Sequence, residues 1–215
     1  MKLELKNVSK KFRKNDVLND ISVEFKPGNI YGLIGTNGSG KSVLFKLICG
    51  VMQPTFGNIL FDDEDYLKTH GVPKSTRAII ESPNFIGSLS GFDNLKMIAK
   101  IQNRISDEDI KNVLKKVGLE NEMNKKVNNY SMGMKQKLAI AQVIMEEEEL
   151  ILLDEPFNGL DFKSIDEIRN LILALKNKNR IIIVASHIKE DFVKLADKLY
   201  LLDKGKLSEY DKKQL

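Results

Sequence analysis

The apolar positions of this chain follow two rhythms. Short β-rich runs predict strands over residues 3–8, 21–25, 29–34, 58–61, 78–80, 150–153, 181–185 and 198–202. Helical patterns alternate with them, which predicts an α/β fold on a largely parallel sheet. Ile151-Leu152-Leu153 and Ile181-Ile182-Ile183-Val184 carry no polar alternation, so they belong mid-sheet, covered on both faces. From about residue 91 to 145 the rhythm turns helical, and this stretch is expected to form an arm beside the sheet. There Ile110, Val113, Leu114 and Val117 recur at i, i+3, i+4 and i+7, with Ser106 as N-cap, Asp109 three residues on and Gly118 as the stop. A second stripe of Met134, Leu138, Ala141 and Met145 places another helix N-terminus near Ser131. The four glutamates 146–149 read as a solvated turn.

Composition narrows the class. A chain of 215 residues has room for one domain or two small lobes with a core able to fold unaided. Its 42% apolar and 30% charged residues are those of a globular protein, not a disordered or fibrous one. The single cysteine, Cys49, excludes an internal disulfide and a cysteine-based zinc site, so a reduced, cytosolic setting is expected. The net charge of +4 is spread without long basic blocks. It is compatible with an anionic membrane face, and no nucleic acid partner is expected. No apolar run approaches the roughly 20 residues of a membrane-spanning helix. The first six residues alternate like a half-buried strand and lack the apolar core of a signal peptide, so export is not expected.

Chemistry enters at Gly35-Thr36-Asn37-Gly38-Ser39-Gly40-Lys41-Ser42, which fits G-x-x-x-x-G-K-[ST] in full. It directly follows the run 30–34 and directly precedes the helical residues 43–49. Glycines let successive amides point into one concavity, and the helix N-terminus adds partial positive charge, a combination suited to a polyphosphate. Lys41 is placed to reach β- and γ-phosphates and the Ser42 hydroxyl to ligate Mg²⁺, making ATP and Mg²⁺ the expected cofactors. A plain strand-to-helix turn needs neither the lysine nor the serine. Ile151-Leu152-Leu153-Asp154-Glu155 ends a second apolar strand in two carboxylates, at the end of an open sheet where ligands bind. Asp154 suits the Mg²⁺ shell and Glu155 the general base acting on the attacking water. Taken alone, such a pair is an acidic strand-end turn; beside the glycine-rich loop it reads as chemistry.

These and further residues resemble the ATP-binding-cassette (ABC) ATPases over nearly the whole chain. Tyr130-Ser131-Met132-Gly133-Met134-Lys135-Gln136 is similar to that family's signature, usually Leu-Ser-Gly-Gly-Gln, and keeps its serine and first glycine. Asn158-Gly159-Leu160-Asp161 is similar to its dimer-contact loop, and His187 stands where the family places a switch histidine. The resemblance implies a P-loop NTPase (RecA-like) core with an antiparallel β subdomain and a helical signature subdomain. As one ABC ATPase domain over 1–215, residues 1–90 and 146–215 form the core with its β subdomain and about 91–145 the helical subdomain. It also implies a head-to-tail pair of copies, in which Ser131, Gly133 and Met134 of one serve the nucleotide held by Lys41 of the other. His187 then bonds the γ-phosphate and Glu155, and Phe12 stacks on adenine. Read without the family, a lone histidine after a buried strand is structural and Phe12 a packing residue. His70, in a Lys68-Thr69-His70-Gly71 turn, reads as surface.

One departure is informative. Most members have glutamine where Glu81 stands, as Mg²⁺ ligand and sensor of the membrane subunit. A glutamate still offers an oxygen to a hard cation but adds negative charge beside the triphosphate. With the altered signature, Glu81 resembles the subgroup for bacitracin and lantibiotic resistance or immunity. That implies an ATPase on the inner face of the cell membrane, driving peptide export through a separate permease docked near residues 81–89. The competing reading is a soluble ABC ATPase in DNA repair or translation. The 90 residues from Lys41 to Ser131 are too few for the coiled coil of chromosome-associated relatives, and one cassette stands where translation factors carry two.

Overall fold

A computed structural model describes residues 1–13, 15–65, 68, 75–81 and 84–214; His70 lies outside them. The chain divides into two compact units, one of residues 1–81, 149–155 and 176–215, the other of residues 82–148 and 156–175.

The first unit holds two sheets. β1 (Leu3–Phe12) pairs antiparallel with β2 (Asn15–Phe25) and with β4 (Phe56–Phe61). The larger sheet has the order β5-β6-β7-β3-β8-β9. Its strands are β3 (Asn29–Ile34), β5 (Thr76–Ile79), β6 (Leu150–Asp154), β7 (Ile181–Ser186), β8 (Lys198–Asp203) and β9 (Lys206–Tyr210). Every pair in it is parallel except β8 with β9, so the architecture is α/β and mostly parallel, as the periodicity predicts. β6 and β7 occupy interior positions with all residues buried, the reason their sequences never alternate. Helix α1 (Lys41–Ile48) buries Leu44, Phe45, Leu47 and Ile48 in a core shared with Tyr31, Leu33, Leu152 and Ile183 of the larger sheet and Leu3, Leu5 and Phe25 of the smaller. Cys49, which ends that helix, is inert packing: burial pushes its thiol up to about 12.

The second unit is helical: α2 (Gly91–Gln102), α3 (Asp107–Lys116), α4 (Met132–Ile144) and α5 (Phe162–Leu175). α3 forms where the stripe Ile110, Val113 and Leu114 predicts it. Ser106 and Asp109 close a full capping box, and Gly118 takes a positive φ just past the end. α4 starts at Ser131, whose hydroxyl accepts from the Met134 amide. Two differences from the periodicity stand out. β1 and β2 run several residues beyond the apolar segments, as a mostly polar two-stranded ribbon that closes at Phe12 opposite Asn15. Glu146 and Glu148 are buried at 3% and 1% exposure, so the four-glutamate run is not a solvated turn. Exposure alternates along the run, with Glu146 and Glu148 buried and Glu147 and Glu149 exposed. Glu148 turns in to an ion pair with Arg104 at 3.6 Å, the partner a buried charge requires. Among the described residues, no helix is long and apolar enough to cross a membrane.

The smaller sheet contains a local constraint. Its β1–β4 register shifts between Lys6 and Ser9, and opposite that irregularity Gly57 sits at φ 83°. A Cβ there would lie 2.3 Å from the Asn7 carbonyl oxygen and 2.4 Å from that of Lys6. Neither backbone atom can move aside cheaply, so Gly57→Ala should cost at least about 2 kcal/mol of folding stability. A falling urea midpoint at unchanged slope checks this, and an unchanged midpoint contradicts it.

Candidate functional site

Three segments far apart in sequence meet at the C-terminal ends of adjacent strands β3, β7 and β6. The loop 35–42 follows β3, His187 follows β7, and Asp154 ends β6. Parallel pairing sets them level, with Ile34 opposite Ser186 and Asp154 opposite Ala185.

The loop turns into α1 at Gly40, a left-handed residue at φ 108° whose carbonyl accepts the first helical bond from Leu44 at 2.9 Å. Lys41 is 6% exposed and folds back over the loop. Its ammonium donates to the Gly35 carbonyl at 2.7 Å and to that of Thr36 at 3.3 Å, and lies 3.4 Å from Glu155 Oε1. Two of its three neighbours are neutral carbonyls, which an anion of higher charge can displace. Within the same loop the Ser39 hydroxyl is buried without a hydrogen-bond partner among the described residues. A cationic lysine, a spare hydroxyl and a helix N-terminus together fit an anionic polyphosphate.

Asp154 is 5% exposed. Burial is the chief cause that raises its carboxyl above the ordinary aspartate range; the bond from Ser42 Oγ, at 2.5 Å, and the Glu81 backbone N–H pull the other way. A desolvated carboxylate touching a hydroxyl is the kind of hard-oxygen pair that Mg²⁺ accepts, with phosphate and water completing its shell. Among the described residues no group of three or more histidine, cysteine or acidic side chains could hold a metal by itself. Ser42 and Asp154 therefore fit a cation carried in with a phosphate ligand.

Glu155 adopts a positive φ of 49°, an uncommon conformation for a residue with a side chain. Its amide donates to the Ala185 carbonyl at 2.8 Å. Its carboxylate accepts from the His187 amide at 3.1 Å through Oε1, while Oε2 lies 3.0 Å from His187 Nδ1. An ionised carboxylate only accepts, so Nδ1 carries the proton and Nε2 is left for a second partner. The His187 turn is braced beneath: Ser186 Oγ donates to buried Asp191 at 2.6 Å and accepts from the Ile188 amide at 3.0 Å. The sequence reading missed that brace, whose only signal was an acid four residues past the histidine.

Glu81 follows β5 at φ 63° with its side chain mostly exposed, and its carboxylate meets the Lys46 ammonium at 2.5 Å. Lys46 was not singled out from sequence. Phe12 ends β1, 40% exposed, with the Lys10 ammonium 5.1 Å from its ring centre. In the second unit, exposed Ser131 caps α4, and Gly133 and Met134 follow in its first turn. Gln136, also in the signature-like stretch, is buried and donates to the Pro156 carbonyl at 3.0 Å. Asp161 accepts from the Ser164 amide at 2.8 Å at the start of α5, and that bond is the main cause that lowers its carboxyl.

Comparisons with known proteins bear on the family and the fold. Residues 18–158 match the family model described as ABC transporter. The chain is 40% identical over 98% of its length to an uncharacterized ABC transporter ATP-binding protein, YybJ, of Bacillus subtilis (strain 168), covering 96% of it. It is 36% identical to the bacitracin transport ATP-binding protein BcrA of Enterococcus faecalis, covering 96% of this chain and 68% of the relative. It is 35% identical to the lantibiotic transport ATP-binding protein SrtF of Streptococcus pyogenes, covering 97% and 91%. Among solved structures, an ATP-binding subunit of an ABC transporter superposes with a TM-score of 0.86 at 27% identity, covering 98% of this chain and 90% of that one. The P-loop NTPase fold that the resemblance implies is thus the fold of its structural neighbours.

The loop geometry yields a direct test. A Cβ at Gly40 would stand 2.8 Å from Leu18 Cδ2 and 3.2 Å from the Val17 carbonyl oxygen, at a φ that disfavours side chains. Gly40→Ala should therefore displace the loop and weaken ATP binding at least about tenfold while the helix content by circular dichroism stays put. Parental affinity for a fluorescent ATP analogue is the contrary result.

Proposed function

Because the chain belongs to the ABC transporter family and is an ATP-hydrolysing, ATP-binding subunit of that kind, we propose that it drives export of peptide antibiotics of the bacitracin and lantibiotic type through a separate membrane permease. The relatives named for bacitracin and lantibiotic transport support the substrate class. In this reading both units work as one ATPase domain on the inner face of the membrane, and the permease docks near residues 81–89.

The observation that carries the chemistry is Glu155, held at a strand end by His187 and Lys41. In the reaction Lys41 gives up the Gly35 and Thr36 carbonyls for the β- and γ-phosphates, with the amides of Gly35, Thr36, Asn37, Gly38, Ser39 and Gly40 around them. Glu155 takes a proton from the attacking water, and His187 keeps its carboxylate in line. To bond the γ-phosphate through Nε2 as well, His187 must carry both ring protons, which suits a ring between two anions. Mg²⁺, when bound with ATP, neutralises phosphate charge; Ser42 and Asp154 hold it, with Glu81 as the candidate third ligand. Phe12 stacks on the adenine. Ser131, Gly133 and Met134 complete the nucleotide site of a second copy, docked head to tail, from a helix N-terminus. ATP then joins the copies and hydrolysis parts them, a two-state element that can push a permease.

Two outcomes test this. Glu155→Gln should keep ATP affinity, lower kcat by about 10²-fold or more and accumulate an ATP-bound dimer by light scattering; wild-type turnover removes Glu155 from its role. A strain lacking the chain should become more sensitive to bacitracin- or lantibiotic-type peptides, and a Lys41→Ala copy should not restore resistance. Unaltered sensitivity argues against peptide export while leaving the ATPase intact.

A further inference from the structure

The site gathers three carboxylates, of Asp154, Glu155 and Glu81, around a place proposed for a polyanion. Asp154 is matched by the Ser42 hydroxyl and Glu155 by Lys41 and His187. Glu81 is matched by Lys46, which stands four residues after Ser42 on α1 and hence on the same helical face. The connections form a closed circuit. Ser42 bonds Asp154, Asp154 faces the Glu81 backbone, the Glu81 side chain meets Lys46, and one helical turn returns to Ser42.

That circuit explains a conformation otherwise hard to keep. Glu81 sits at φ 63°, which a residue with a side chain holds only when its surroundings fix it. Its backbone faces the Asp154 carboxylate and its own carboxylate is held by Lys46. The Glu81 side chain is 61% exposed, and a pair so placed adds little to folding stability. Its consequence is local: it sets where the carboxylate points and what charge a nearby anion meets.

We propose that Lys46 is a positioning residue for the nucleotide site, anchoring Glu81 and cancelling its charge so that ATP binds beside it without repulsion. This rests on the ATP reading of the loop 35–42. Without Lys46, the Glu81 carboxylate is an unpaired negative charge close to the phosphates, and the penalty depends on that charge and on salt.

Equilibrium binding of a non-hydrolysable fluorescent ATP analogue, with and without Mg²⁺, decides the matter in the parent, Lys46→Met, Glu81→Gln and the double variant. Lys46→Met should weaken binding about threefold to fivefold at low salt and less at high salt. In the Glu81→Gln background the same change should have no effect, and Lys46→Arg should retain parental affinity. Thermal melting of Lys46→Met at the parental temperature shows that the loss is not unfolding. The proposal is overturned if Lys46→Met binds as the parent does or loses affinity equally in both backgrounds. It is also overturned if Lys46→Met binds more tightly only with Mg²⁺, which would make Lys46 a competitor of the metal for Glu81. A parent that fails to bind the analogue at all sinks the ATP reading instead, a separate result.

Discussion

The parallel adjacency of β6, β7 and β3 is the constraint on which the chemistry depends. Parallel pairing makes neighbouring strands end on the same side, so their following turns converge although β3 lies more than a hundred residues before β6 and β7 in sequence. The register leaves little slack, with Asp154 level with Ala185 and Ile34 level with Ser186. Backbone bonding extends this past the strands: the Glu155 amide still donates to the Ala185 carbonyl, so Glu155 is the first residue beyond the ladder and yet tied to it. Its positive φ follows from leaving the sheet while keeping that bond.

Much of this arrangement was legible in the amino-acid order. Unbroken apolar runs identified β6 and β7 as interior strands, because a residue covered on both faces cannot be polar on either. The glycine-rich loop was legible because its chemistry is local, every part lying within eight residues. β9 escaped, although Lys204-Gly205 between Asp203 and Lys206 is a two-residue turn with both residues at positive φ; Lys206–Tyr210 is an edge strand with little apolar content to mark it. Helix α5 also passed unread, with its buried stripe of Ser164, Ile168 and Ile172 diluted by a serine. The family resemblance covered those segments without showing them.

What the sequence hid most thoroughly were pairings between charges. Glu146-Glu147-Glu148-Glu149 reads as solvent-facing by composition alone, because the partner that makes burial of Glu148 tolerable is Arg104, over forty residues away. Lys46 was one of many lysines until Glu81 stood next to it. Asp191 was one of many acids until the Ser186 hydroxyl turned to it under the histidine. An ion pair leaves no periodic trace, so spacing cannot disclose it; only the fold brings the partners together.

Those pairings matter because the site must hold opposite charges close together before and after its ligand arrives. Burial raises the Asp154 carboxyl, so folding spends stability to keep an ionised acid there, and a cation bound against it returns that cost. Lys41 faces the converse problem, a buried ammonium, and meets it with two carbonyls and Glu155. The two carbonyls are neutral dipoles, which a phosphate of higher charge can displace, and the proposed mechanism leaves Glu155 its bonds from His187 when the lysine turns to the ligand. In the proposed mechanism, the same contacts that stabilise the charges in the folded chain leave Glu155 oriented as the base and Lys41 able to bind phosphate, which is the division of labour hydrolysis needs.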